Sequence, residues 1–558
     1  MKVSGAKAVV ESLKHLGVEV LFGIPGGALL YVYDALYDAQ DDIRQVLCRH
    51  EQGAAHAADG YARVSGKVGV CVATSGPGAT NLVTGIANAH MDSVPIVAIT
   101  GQVPRPSIGR DSFQEADVTG ITMPIVKHSY LVKEPQDIPA VFAEAFYLAA
   151  TGRPGPVLVD LPKDVTASEF EFHFPEKVTV AGYRPAASGH RRMIKQAADL
   201  IAKSQRPIIY IGGGVITSGA HQELKELAEK TGIFVVNTLM GKGGFPESHP
   251  QALGMIGMHG AAYGNYALNG SDLIIALGAR FDDRVTGRLD KFAPDAKVIH
   301  VDIDPAEIGK SRAADVPIVG DLKPVLKELN RLVQRCDLEP WRKQIVEWRE
   351  RFPLRYAQSD ERIKPQFLVQ EVHRLTKGEA ICVTDVGQHQ MWAAQYYLCD
   401  RPRQFVTSGG LGTMGFGLPA AMGAQFARPD DLVVGFHGDG SIQMTIQEIA
   451  TAVEHRLPLK IIIVENRSLG MVRQWQELFH GRRYSGTLFQ MVPDFDKIAE
   501  AYGCKGETIE RPEEIEPAFK RALTVSDTPY ILTARVEQEE NVMPMVPAGS
   551  ALDEMLID

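Results

Sequence analysis

The sequence contains no apolar run approaching the ~18 residues that a membrane-spanning helix needs, so no membrane span is expected. It also lacks a dominant Lys/Arg cluster. With 58 Lys and Arg against 68 Asp and Glu, the formal net charge is −10, and the electrostatic footprint of a nucleic-acid binder is missing. Only six cysteines occur in 558 residues (Cys48, Cys71, Cys336, Cys382, Cys399, Cys504). They show no CxxC or paired Cys/His spacing, which argues against a zinc site or a disulfide framework. The N-terminus carries no apolar signal-peptide core; Ala6, Val9, Val10 and Leu13 instead mark an amphipathic helix running into a strand. The expected setting is the cytoplasm, and the expected partners are small molecules and other protein chains.

What recurs is a run of Val and Ile ending in Gly or a small polar residue and followed by a helical pattern: VGVCVATSGPG, VPIVAITG, PIIYIGGG, LIIALGAR, KVIHVDID, LVVGFHGDG and LKIIIVEN. Such runs are strands of parallel α/β sheets buried on both faces. Residues 168–190 and 337–362 break the rhythm with Pro, charge and aromatics and read as crossings between domains. Three doubly wound domains follow, at about 1–167, 191–336 and 363–535, with a tail at 536–558 that is either a surface strap or a lid.

One turn carries specific chemistry. A strand at 432–436 leads into Gly438-Asp439-Gly440-Ser441, and Ile442, Ile446, Ile449, Ala450 and Val453 predict a helix directly after it. Glycines admit an anion to the backbone, a helix N-terminus favours negative charge, and Asp439 offers a carboxylate to a hard cation. The next strand ends at Asn466, 466 − 439 = 27 positions on, and neighbouring parallel strands would bring the two residues to one crevice. Asp439, Asn466 and the Ser468 carbonyl, with phosphate oxygens and water, could complete the roughly six oxygens Mg²⁺ prefers.

At this point the chain resembles the thiamine-diphosphate enzymes, whose motif opens GDG and closes with two asparagines; here Glu465 stands at the first. The resemblance implies an activating carboxylate in the first domain, and Glu51, after the strand at 43–48, is the candidate. Gly76 and Asn81 of GPGATN would wall the pyrimidine, and Pro25 and Gly27 would face the reacting carbon. In the third domain, Val386, Gly387, Gln388, His389 and Gly412 would meet the diphosphate region, Met414 would wedge the cofactor into its bent form, and Gly470 and Met471 would complete the site.

Nearly the whole chain is similar to the acetohydroxyacid synthase catalytic subunits of the FAD-containing biosynthetic kind, through GIPGGALLYVYDAL, RHEQGAAHAADGYAR, DSFQEADVTGIT, GARFDDRVTG and ENRSLGMVRQWQELF. That resemblance implies decarboxylation of pyruvate and ligation of the two-carbon unit to pyruvate or 2-ketobutyrate, in branched-chain amino acid biosynthesis. Arg284 would hold the acceptor carboxylate and Trp475 its alkyl tail, with Phe113, Gln114 and Lys163 at the mouth of the site. The flavin would be structural. It would lie against Arg153, Gly212, Gly213, Gly214, Thr238, Leu239 and Met240, then Met258, His259, Gly278, Ala279, Arg280, Asp282, Arg284 and Val285, and finally Asp302, Ile303, Gly320 and Asp321. The middle domain carries no GxGxxG, and by the resemblance Arg280–Arg284 (RFDDR) favours this branch over the flavin-free one. A homodimer or homotetramer and a separate small regulatory subunit are implied too. A flavin-dependent pyruvate oxidase is the alternative enzyme, and a non-catalytic scaffold the alternative of another class.

Overall fold

The computed structural model describes residues 2–557. The Val/Ile runs form three six-stranded sheets in which every neighbouring pair is parallel. Strands such as Pro207–Ile211, Gly69–Ala73 and Lys460–Glu465 are buried at every position, because helices cover both faces. The one antiparallel pairing among the named strands joins Lys2–Ser4 to Glu169–Glu171.

Topology decides where ligands can enter. In the first sheet the order in space is Arg44–Leu47, Val20–Ile24, Gly69–Ala73, Ile96–Gln102, Val157–Pro162, His128–Leu131, which is 2-1-3-4-6-5 in chain order. The third sheet, counted from Ile381–Thr384, repeats that order; the middle sheet, counted from Pro207–Ile211, runs 3-2-1-4-5-6. Ligands of such sheets bind beyond the carboxyl ends of the strands, where the winding reverses. Those points are the ends of Val20–Ile24 and Gly69–Ala73, of Pro207–Ile211 and Leu273–Leu277, and of Ile381–Thr384 and Val433–Gly438.

Helix Glu51–Ser65 of the first unit packs along helix Gly417–Ala427 of the third. A Cβ at Gly60 would lie 2.7 Å from Ala420 Cα, so these small residues let two backbones approach closely. The crossing 337–362 carries a helix of its own, Glu339–Arg351, whose Trp341 and Ile345 are buried against the middle sheet and whose Trp341 indole donates to Pro207 O at 3.3 Å. The tail runs from the third unit to the middle one: Val536 bridges Ile363, and the Val546 N–H donates to Met258 O at 2.8 Å. Among the described residues no helix is long and apolar enough to cross a membrane.

Candidate functional site

Strands Val433–Gly438 and Lys460–Glu465 pair in parallel with Gly438 opposite Val464, so the residues just beyond each end share one crevice. Asp439 and Asn466 meet there, as the spacing predicts. Asp439 is 1 % exposed; its Oδ2 accepts the Arg467 N–H at 2.7 Å and its Oδ1 the Gly440 N–H at 3.0 Å. Burial pushes this carboxyl up to about 7, and the neighbouring Glu465 carboxylate adds to the push. A divalent cation would offset both effects. Among the described residues no three His, Cys, Asp or Glu side chains gather as a metal site, so a cation here would rest on one carboxylate, amide and backbone oxygens and the ligand's own oxygens.

The predicted helix directly after Ser441 does not form. A short 3₁₀ turn, Ile442–Met444, intervenes and the α-helix begins only at Glu448. Local bonds hold the turn apart from a helix: Ser441 Oγ accepts the Gly438 N–H at 3.1 Å, Gln443 Nε2 donates to Asp439 O at 2.7 Å, and Thr445 Oγ1 donates to Gly415 O at 2.8 Å. Anion-facing N–H groups therefore belong to the Gly438–Ser441 turn and not to a helix terminus.

Around the turn, Gln388, His389, Ser441 and Ser468 are buried. The buried His389 Nε2 and Ser468 Oγ have no protein partner, and burial pushes the His389 imidazole down to about 4, leaving it neutral. Gly387 and Gly438 both border the His389 ring; a Cβ at either would lie 2.9 Å from its Cε1. Gly470 opens helix Gly470–Phe479, where a Cβ would collide with Gln388 Oε1 and lie 2.5 Å from Asn466 Nδ2. Met414 is half-buried beside Gly415. The cradle is polar, glycine-lined and enclosed, which fits a diphosphate held through a cation.

Glu465 occupies the last position of its strand and is 7 % exposed, with Arg535 Nε 3.4 Å from its Oε2. The departure from two asparagines thus gives the strand end an ion pair and leaves Asn466 at the crevice.

In the first unit, Glu51 begins helix Glu51–Ser65 after the N-cap His50. It is 8 % exposed and accepts a 2.9 Å hydrogen bond at Oε2 from Asn81 Nδ2. Gly76 has φ +63° and packs against Gln114, whose own φ is +59°. Phe113 beside it is 88 % exposed. Pro25 and Gly27 are exposed at their strand end, and Lys163 Nζ lies 5.9 Å from the ring of Tyr31.

Two cavities open at the reversal point of the middle sheet. The first, about 380 Å³, lies between units and is lined by Asp92, Ser93, Arg153, Gly213, Gly214, Arg280, Asp302, Ile303, Gly320 and Asp321. The second, about 400 Å³, is lined by Gly212, Thr238, Leu239, Met258, His259, Ala279, Asp282, Arg284, Val285, Val386, Gly412, Met471 and Trp475. Gly213, Met240, Gly278 and Arg280 border both, so they form one long crevice. Gly214 is there for packing: a Cβ would lie 2.7 Å from Gly278 Cα. At Gly213 the nearest atoms, of Met240, are 3.5 Å away, leaving its backbone open to the crevice.

Charge is arranged along this crevice. Arg153 Nη1 lies 2.6 Å from Glu307 and 3.2 Å from Asp304, and its Nε donates to Ser93 Oγ at 2.9 Å. Burial pushes the Asp302 carboxyl up to about 6. Asp282 and Asp321 each cap a helix by accepting from the backbone two residues on. Arg284 is exposed with Nη1 3.7 Å from Met258 Sδ, and the Trp475 indole nitrogen is buried without a protein partner. A long, narrow, partly polar crevice at the reversal of a 3-2-1-4-5-6 sheet is the geometry a dinucleotide occupies.

The sequence predictions divide here. Val386, Gly412, Met471, Arg284 and Trp475 share the second cavity, whereas Pro25, Gly27, Glu51, Gly76, Asn81, Phe113, Gln114 and Lys163 line neither cavity. Sequence reading missed Asp92, which accepts from Gly409 and Gly410 N–H and pairs with Arg63 at 2.8 Å, and Gln474, fully buried beside Trp475. No periodicity or motif marks either one.

Comparison with known proteins gives three family matches: the thiamine pyrophosphate enzyme N-terminal TPP binding domain over residues 3–121, the central domain over 194–329, and the C-terminal TPP binding domain over 385–534. The chain is 53% identical to an acetolactate synthase of Mycobacterium bovis, over 99% of this chain and 91% of that protein. It is 49% identical to the acetolactate synthase isozyme 3 large subunit of Escherichia coli, over 99% and 98%. It is 51% identical to a probable acetolactate synthase large subunit of Methanocaldococcus jannaschii, over 99% and 94%.

Proposed function

This chain belongs to the family of acetolactate synthase large subunits, and from that premise we propose that it decarboxylates pyruvate and joins the two-carbon unit to a second 2-ketoacid. With pyruvate as acceptor the product is 2-acetolactate; with 2-ketobutyrate it is 2-aceto-2-hydroxybutyrate. The observation that carries the carboligase reading is that Arg284 and Trp475 share one cavity with Val386, Gly412 and Met471.

Thiamine diphosphate, when bound, supplies the electron sink for loss of CO₂. Asp439, Asn466 and the Ser468 carbonyl would hold Mg²⁺, and the Gly438–Ser441 turn would receive the diphosphate. Glu51 would exchange a proton with the pyrimidine ring, its carboxylate held in one orientation by Asn81. Arg284 would bind the acceptor's carboxylate by charge-assisted hydrogen bonds while Trp475 packs its alkyl end. The crevice from Arg153 to Trp475 would take FAD.

A second copy of the chain completes the site in this reading. Glu51 and its wall line neither cavity, and exposed apolar residues (Leu30, Tyr31, Phe113, Met123) lie on that unit. A homodimer is therefore the minimum functional unit, with a homotetramer as its doubling. The large-subunit family also supports a small regulatory partner.

The test is to incubate purified chain with pyruvate, thiamine diphosphate, Mg²⁺ and FAD and to quantify acetolactate, acetaldehyde, acetate and peroxide. Acetolactate as the main product is expected. Acetate with peroxide would replace this reading by an oxidase.

A further inference from the structure

Gln474 precedes Trp475 on helix Gly470–Phe479 but is fully enclosed, between the metal turn and the tail. Its Oε1 accepts the Val542 N–H at 2.8 Å and Nε2 of Gln388 at 2.9 Å, and its own Nε2 donates to Val542 O at 3.0 Å. Gln388 donates also to the Glu540 carbonyl at 3.0 Å, and its Oε1 accepts from Asn466 Nδ2 at 3.1 Å. Three side-chain amides thus connect the tail backbone at Val542 to Asn466.

An amide side chain has two orientations related by a half-turn, and only its surroundings choose between them. Asn466 can offer its oxygen to a cation only if its NH₂ points the other way, toward an acceptor. Gln388 Oε1 is that acceptor. Its position requires the Gln388 NH₂ to face Gln474 Oε1 and the Glu540 carbonyl. Gln474 is oriented in turn by the N–H and C=O of Val542, which belong to the backbone and cannot flip. The Ser468 N–H, donating to Asn466 Oδ1 at 3.1 Å, selects the same orientation from the other side.

We propose that Gln474 is a positioning residue for the cation site: it transmits the fixed polarity of the docked tail to Asn466, so that retention of Mg²⁺ and diphosphate depends on the tail. This rests on Asp439 and Asn466 being the cation site. Replacing partners one step beyond metal ligands typically weakens metal binding about 10–100-fold.

The experiment measures the Mg²⁺ concentration that half-saturates quenching of intrinsic tryptophan fluorescence by thiamine diphosphate in the full-length chain, together with thermal midpoint and, at saturating Mg²⁺, KM for pyruvate. Gln474→Met, similar in size but without the amide, should raise half-saturating Mg²⁺ about tenfold or more, with KM unmoved and the thermal midpoint lowered, because the buried N–H and C=O of Val542 lose their partner. Gln474→Glu, whose protonated carboxyl keeps one donor and two acceptor oxygens, should restore binding to within about threefold. Gln474→Asn, one methylene too short to reach both partners, is the smaller perturbation should Gln474→Met not fold, and it should also weaken Mg²⁺. Unchanged Mg²⁺ dependence in Gln474→Met or Gln474→Asn, or equal losses in Gln474→Met and Gln474→Glu, would overturn the proposal. Asp439→Ala separates the two readings. If it abolishes the Mg²⁺ dependence while the Gln474 variants are silent, only this proposal fails; if it too is silent, the cation-site reading fails with it.

Discussion

Asn81 Nδ2 donates a 2.9 Å hydrogen bond to Oε2 of Glu51, joining a helix that begins after the second strand of the first sheet to the turn after its third. The contact gives a buried carboxylate one orientation at the reversal point of that sheet, where a ligand ring can reach it. Glu51→Gln keeps the shape and the partner but cannot exchange a proton. Turnover should fall by about 10²–10⁴, the range of general acid–base catalysis, while thiamine diphosphate still binds. Steady-state carboligation rates and cofactor fluorescence quenching check the two halves; a variant retaining full turnover would remove Glu51 from the mechanism.

Gly470→Ala places a methyl group against Gln388 Oε1 and 2.5 Å from Asn466 Nδ2. Both side chains must shift, and they sit at the crevice proposed to hold the cation. We expect loss of Mg²⁺-dependent cofactor binding with little change in far-UV circular dichroism. Equilibrium dialysis with thiamine diphosphate reads the outcome directly.

Gly213→Val fills a point that both cavities share, where only Met240 atoms at 3.5 Å border the missing Cβ. The purified variant should carry much less flavin by its absorbance near 450 nm, on the order of tenfold for a blocked crevice. Its Mg²⁺-dependent binding of thiamine diphosphate should persist. Parent-like flavin content would place the flavin elsewhere.

Trp475→Leu removes the aromatic wall of the second cavity. A pocket distinguishes one methylene by about 1–3 kcal/mol, so the variant should lose a preference of that size for 2-ketobutyrate while still forming acetolactate. Product ratios from mixed pyruvate and 2-ketobutyrate decide it; an unchanged ratio would clear Trp475 of this role.

Asp160, in strand Val157–Pro162, is 1 % exposed, and burial pushes its carboxyl up to about 7 despite hydrogen bonds from Thr100 and Gln102. Its folded value lies above its unfolded value, so proton binding contributes stability that is fully present below about pH 4 and is lost as pH rises through 7. Asp160→Asn does not titrate. The thermal midpoint of Asp160→Asn relative to the parent should therefore move in the variant's favour between pH 5 and pH 8, whatever the offset at one pH. A constant difference across that range contradicts the burial argument.

Much of this was legible locally. Strands buried on both faces announce themselves as Val/Ile runs, so the parallel α/β class follows from composition and rhythm alone. The turn Gly438–Ser441 and Asn466 were legible too, because the rise of two adjacent strands converts a spacing of 27 residues into proximity. The helix expected after Ser441 was not, since the apolar spacing of Ile442, Ile446 and Ile449 is helical while the hydrogen bonds of Ser441, Gln443 and Thr445 are made to other backbone groups. Periodicity reports which side of a segment is buried, and it carries no information about a hydrogen bond that competes with the helix.

By itself, then, the sequence determined the class of fold, the meeting of the Gly438–Ser441 turn with Asn466 and the candidate carboxylate at Glu51, because each depends on residues near one another in the chain. Tertiary structure alone decided that Arg153 meets Glu307, that Gly213 rather than Gly214 opens the crevice, that Gln474 links Val542 to Asn466, and that Glu51 stands outside the cavity of Arg284 and Trp475. Those relationships join residues distant in the chain, and their partners are chosen by which strand ends and tail segments the completed fold brings together.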